Sequence, residues 1–239
     1  MPFGNILGAM LSTVVLTISA LLPIANPFST AALFMSLSSG LSEKDKRHQA
    51  YMAGVYMFFI LTFFLIAGAL IMNFFGISVA GIRIAGGLII MVVGFRMLFP
   101  TEKELSPQEE REAREKEDIA LVPLAMPSLS GPGAIAVVLS VSSEINHWYG
   151  YIVVAIGILA TAVISYLVLR TSARLTKFLG VNGLNVFTKI MGFLLICIAV
   201  QFLASGIFQF IHQDKVKGKE TKPVLSSAQI LPTIHLSIR

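Results

Sequence analysis

Residues 23–31 read "PIANPFSTA", and they interrupt an apolar run that is otherwise long enough to cross a bilayer. Two prolines, an asparagine, a serine and a threonine fall within nine positions. Residues 123–134 read "PLAMPSLSGPGA", close to the same phrase. Proline removes a backbone donor and clashes with the preceding turn, so each phrase leaves helix carbonyls without partners. In hydrocarbon such groups are costly, and a broken backbone survives only where protein or a water-filled cavity surrounds it. Two matched breaks therefore point to one polar pocket inside a membrane protein.

Composition agrees with a membrane setting. The 239 residues are 55% hydrophobic and only 13% charged, and the charges are gathered into short blocks between apolar runs. A soluble domain of this length needs more polar surface, so an all-α integral membrane protein is expected. The net charge of +5 reflects loops in such a protein, and no nucleic-acid partner is expected. The single cysteine, Cys197, forms no internal disulfide. No zinc spacing, phosphate loop, dinucleotide fingerprint or nucleophile elbow is present, and no intramembrane Ser/His pair, Asp pair or His-rich set. An enzyme is not expected, nor a cofactor.

Six spans are expected, near 6–25, 50–73, 79–99, 119–140, 148–169 and 187–211, with the first and fourth broken. No basic residue precedes the first apolar run, which leads straight into the break and reads as a retained span. Lys44, Lys46 and Arg47 follow span 1, Lys103, Arg111, Arg114 and Lys116 follow span 3, and Arg170, Arg174 and Lys177 follow span 5. The loops after spans 2 and 4 carry no Lys or Arg. The basic loops should then be cytoplasmic and both termini periplasmic, against which only the lysines of the tail dissent.

The halves match beyond the prolines. Pro23 pairs with Pro123, Ala25 with Ala125, Pro27 with Pro127 and Thr30 with Ser130, and residues 75–98 resemble 179–203, with Gly87 on Gly192 and Arg96 on Gln201. Three spans per half is odd, so the second half enters from the opposite side. The expected plan is two inverted three-helix repeats, 1–99 and 119–213, joined by a charged cytoplasmic linker, 100–118, and followed by a disordered tail, 214–239.

Asn26, Ser29, Thr30, Ser128 and Ser130 are the candidate solute contacts, with Pro27, Pro127, Gly131 and Pro132 shaping the breaks. Simple proline-kinked helices are the plainer alternative, and the density of hydroxyls at both breaks weighs against it. Arg83 sits among small residues on the side that otherwise lacks basic groups. It would line an external vestibule and attract a carboxylate, or else snorkel to the headgroups. Gly86, Gly87 and Gly94 suggest close helix packing, and Trp148 and Tyr149 an interfacial anchor. No Asp, Glu or His falls well inside a span, which argues against a proton relay. Sodium held by carbonyls and hydroxyls at the breaks is a coupling ion the residues allow, as is transport with none.

"NPFST", "PLAMPSLSGPGAI" and "GLIIMVVGFRML" together resemble the MarC family of bacterial inner-membrane proteins, over roughly residues 5–213. The resemblance implies six spans and transport of small neutral solutes, because the family includes proteins described as neutral amino acid transporters. The tail resembles nothing in it. The expected function is secondary transport of a small neutral solute. A small-solute channel and a non-transporting scaffold or sensor are the alternatives. Oligomeric state is not legible.

Overall fold

The computed structural model describes residues 3–99, 119–145 and 147–220. All regular structure among them is helical. The charged linker and its expected short helix lie outside the described residues. Of the tail read as 214–239, residues 214–220 continue the last helix, and residues 221–239 lie outside the described residues.

The first half holds α1 (Phe3–Ala25), α2 (Pro27–Leu37), α3 (Glu43–Phe75) and α4 (Val79–Leu98). The second holds α5 (Ala120–Leu129), α6 (Pro132–Ser142), α7 (Trp148–Arg170) and α8 (Ser172–Glu220). Five of these are long and apolar enough to cross a membrane: α1, α3, α4, α7 and the Gly183–His212 part of α8. The α5–α6 pair qualifies only when taken together, across a 61° bend.

Local chemistry sets most boundaries. Ser42 opens α3 by accepting from the Asp45 amide at 3.2 Å, and Ser78 opens α4 by accepting from the Gly81 amide at 3.0 Å. Pro27 and Pro132 occupy first-turn positions of α2 and α6, where a missing N–H costs nothing. Pro23, by contrast, stays inside α1. The matched prolines therefore do different work in the two halves. Proline disfavours helical backbone in the residue before it. In α5 both such residues, Val122 and Met126, are extended, and both peptide bonds that follow are cis. The turns around them close by wide i→i+5 bonds, from the Leu124 amide to Ile119 and from the Ser130 amide to Ala125.

The bundle is held by close backbone approach. In a bilayer, lipid chains are as apolar as leucine, so helices associate through packing and hydrogen bonds. α4 lies along α8, with Ala80 facing Gly206, Gly87 facing Ala199 and Gly94 facing Gly192. These pairs step seven residues forward on α4 and seven back on α8, so the helices run antiparallel. A Cβ on Gly94 would lie 2.9 Å from the Gly192 carbonyl oxygen. Thr17 of α1 fits against Gly157 of α7, and Gly54 of α3 approaches the Ala162 carbonyl of α7.

On α3 the large side chains split into two stripes. Met57, Leu61, Leu65 and Met72 are buried, while Phe59, Phe63, Ile66 and Leu70 point outward. An apolar outer stripe is what lipid requires, and the Phe-rich run supplies it. Trp148 and Tyr149 are exposed at the start of α7, where an interfacial anchor belongs.

Candidate functional site

The first break turns on Asn26. Its backbone is left-handed (φ 36°, ψ 65°), the one non-glycine residue with positive φ among those described. Asparagine tolerates this conformation, and its short side chain caps the helix it starts. Asn26 Oδ1 accepts from the Ser29 amide at 3.4 Å, and its Nδ2 reaches Met97 Sδ at 3.7 Å. The Thr30 hydroxyl donates back to the Asn26 carbonyl at 3.2 Å. Asn26 and Thr30 are buried, and Ser29 is exposed. Two of the first-half candidates are thus already bonded to one another, and the third faces outward.

A prediction follows from that backbone. Asn26→Ala loses the cap, about 1 kcal/mol, and strains a left-handed residue by roughly 1–2 kcal/mol. Asn26→Gly keeps the backbone at ease and costs a few tenths. Thermal unfolding in detergent should rank Ala well below Gly. The reverse order would mean that the side-chain contacts, and not the backbone, decide the position.

The second break is built differently. Gly131 precedes α6, and no side chain caps that helix. A Cβ at Gly131 would sit 2.6 Å from the Pro127 carbonyl oxygen, so only glycine lets the chain fold back here. Ser130 is completely buried, and its Oγ has no hydrogen-bond partner among the described residues. Ser128 is half-buried, while Pro127 and Pro132 are exposed.

The two breaks are neighbours. A Cβ on Gly133, two residues into the second break's helix, would lie 3.3 Å from Ile24, two residues before Asn26, and 3.2 Å from Ile90 of α4. α2 also packs on α5, and α1 on α6. What this arrangement offers is an uncapped helix start, with its free N–H groups and positive dipole end, next to a buried hydroxyl. Such a pairing suits a small anionic group, a carboxylate included.

Arg83 stands apart from the breaks. Its Nε donates to Ser140 Oγ at 3.0 Å, and its guanidinium pairs with Glu144. Ser140 lies in the last turn of α6, about 15 Å from Ser130 at 1.5 Å per residue, and Glu144 lies in the turn that follows the helix. Arg83 is mostly buried, and its side chain is engaged by Ser140 and by the largely exposed Glu144. Ser140 and Met97 are contacts that sequence reading missed. Gln201, matched in sequence to Arg96, is exposed on α8. Arg83→Gln should cost on the order of 2 kcal/mol, because it removes a charged donor from a partly buried hydroxyl and a carboxylate. Glu144→Gln, at a largely exposed site, should cost under about 1 kcal/mol. Equal losses in thermal unfolding would refute this division.

Comparison with known proteins supplies the family. The family described as MarC family integral membrane protein matches residues 11–211. The chain belongs to the MarC family. The inner membrane protein MarC of Salmonella typhimurium is 42% identical over 203 residues, covering 80% of this chain and 92% of that protein. Those of Citrobacter koseri and Escherichia coli O1:K1 are 41% and 40% identical over the same coverage. No solved structure matches. The MarC match spans both breaks and every helix that lines them, and the relatives' name places them in the inner membrane, in keeping with the apolar helices here.

Proposed function

We propose that the protein is a secondary transporter of small neutral solutes, amino acids first among them, with the solute held between the two helix breaks. The observation that carries this reading is Ser130 Oγ, completely buried at the junction and without a partner among the described residues. A buried hydroxyl left unpaired costs about 1–3 kcal/mol. A bound polar solute would remove that cost, its carboxylate taking the hydroxyl and the open N–H groups of α6.

An inverted repeat supports the same reading, since transporters of this plan bind between discontinuous helices. Pro27 and Pro132 begin the two short helices, each of 11 residues, and Glu43 and Trp148 begin the helices that follow. Gly87 and Gly192 sit in the long antiparallel contact, and each of these three pairs is 105 residues apart. That register differs by five residues from the Pro27–Pro127 pairing of the two phrases. In it Asn26 corresponds to Gly131, so the two residues that start the short helices are equivalent and chemically unlike. The contact of Gly87 with Ala199 then maps onto that of Gly192 with Gly94, as a two-fold axis in the membrane plane requires. Six spans follow if the α5–α6 pair counts as one, with the basic loops cytoplasmic and both termini periplasmic. The protein carries out no covalent chemistry and needs no cofactor, and sodium is the coupling ion to test.

The test is uptake of labelled glycine, alanine and serine into proteoliposomes, with and without a sodium gradient. Saturable uptake is expected, and a gradient dependence would establish sodium coupling. Uptake that never saturates would favour a channel. None of the three taken up by folded protein would remove the amino-acid assignment and leave the scaffold or sensor reading in competition with transport of another neutral solute.

A further inference from the structure

At the basic end of the bundle a cavity of about 290 Å³ opens between the last turn of α2, the start of α3 and the α7–α8 junction. Four cations line it: Lys46 and Arg47 from α3, Arg170 from the end of α7 and Arg174 from the start of α8. Glu43 is the one carboxylate among the lining residues, and it is already engaged by Lys46 at 2.8 Å. Arg170 is held in place by Tyr166, whose hydroxyl accepts from Nη1 at 3.1 Å and whose ring lies 5.9 Å from the guanidinium carbon. One contact uses one of five guanidinium donors, and the others remain for an acceptor. Ser38, Thr171 and Ser172 add hydroxyls to the wall, and Phe34, Met35 and Leu169 form an apolar floor.

With Glu43 offsetting Lys46, the lining keeps an excess of three positive charges, which favours an anion in the cavity. A water's share of liquid volume is about 30 Å³, so the cavity is large enough for several waters or for a phosphate with an ester arm. Phosphate suits these walls better than a carboxylate. A free phosphate or monoester carries up to two charges on three or more terminal oxygens, and a diester headgroup one charge on two. Either set of tetrahedrally spread oxygens can meet guanidinium forks on opposite sides. The position is also apt, because basic pockets between spans at the cytoplasmic surface lie at the depth of anionic headgroups.

We propose that this cavity binds a phosphate-bearing anion, clamped by Arg170 and Arg174 on one wall and by Lys46 and Arg47 on the other. The site is separate from the helix breaks, and it holds whether or not a solute is transported.

Two measurements on the purified full chain test it. In nanodiscs of equal phosphatidylglycerol and phosphatidylcholine, native mass spectrometry reads which lipid stays with the protein. In neutral detergent, thermal unfolding is compared between sodium phosphate and sodium chloride at equal ionic strength. Retention of phosphatidylglycerol alone assigns the site to a lipid headgroup, and a rise in Tm with phosphate alone assigns it to free phosphate. Either response should fall at least tenfold in Arg170→Gln, Arg174→Gln. It should fall equally in Lys46→Gln, Arg47→Gln on the opposite wall, which guards against a local folding defect in one variant. Arg96→Gln, Lys189→Gln removes two exposed cations that do not line the cavity, and should change nothing. An equal fall in that control overturns the proposal, as does the absence of both responses in the unaltered chain.

Discussion

Ser130→Ala is expected to abolish saturable solute uptake, by tenfold or more, while leaving the protein as stable as before or more so. The two readouts part because the hydroxyl is buried without a partner among the described residues. Most buried serines are bonded, and truncating them costs about 1 kcal/mol. Here truncation removes an unsatisfied group, so Tm in detergent should hold or rise. If the solute completes the hydrogen bond, its loss should appear in uptake and not in folding. Thr30→Ala provides the contrast: its hydroxyl already donates to Asn26, so it should lose stability and uptake together. A fall in the stability of Ser130→Ala without loss of uptake would show that the hydroxyl serves the fold.

Gly94→Leu should separate α4 from α8 and cost about 1–3 kcal/mol or more, the range for overfilling a packed contact. A Cβ at this position would meet Ile196 Cγ1 at 2.8 Å and the Gly192 carbonyl oxygen at 2.9 Å. One of those neighbours is backbone and cannot rotate away. Gly192→Leu should fail in the same manner, since its Cβ would meet Met97 and the Gly94 carbonyl oxygen at 2.8 and 3.0 Å. Gly8→Leu meets nothing within 4 Å and serves as the control. Detergent thermal unfolding should show large losses for the first two and none for the third. A Gly94→Leu protein as stable as the parent would mean that the antiparallel contact does not hold the halves together.

How the breaks and the packing were legible differs residue by residue. The span boundaries follow from runs of apolar residues, and capping Ser42 and Ser78 sit where such residues usually open helices. That Pro27 and Pro132 start helices could be anticipated from the fixed φ of proline. The roles of Pro23 and Pro123 could not: the same residue in the same phrase lies within a helix in one half and after extended backbone in the other. Proline limits its predecessor only locally, and tertiary packing chooses among the conformations left. Arg83 shows the same limit. Its place on the poorly basic side was plain, but its partners lie 57 and 61 positions along the chain, in the last turn of α6 and in the turn after it, whose placement no local pattern records.

Sequence by itself determined that this protein lives in a membrane, where its chain is interrupted, and to which family it belongs. Each of these rests on properties that neighbouring residues carry without help: hydropathy, a missing N–H, a shared run of motifs. Only the tertiary structure decided that the Ser130 hydroxyl, like that of Thr62, is buried with no partner among the described residues, while Asn26 and Thr30 satisfy each other. It alone brought Gly94 against Gly192 and gathered Lys46, Arg47, Arg170 and Arg174 around one cavity. Those are relations between helices far apart in the chain. They are set by how close two backbones can come once every side chain has found its place.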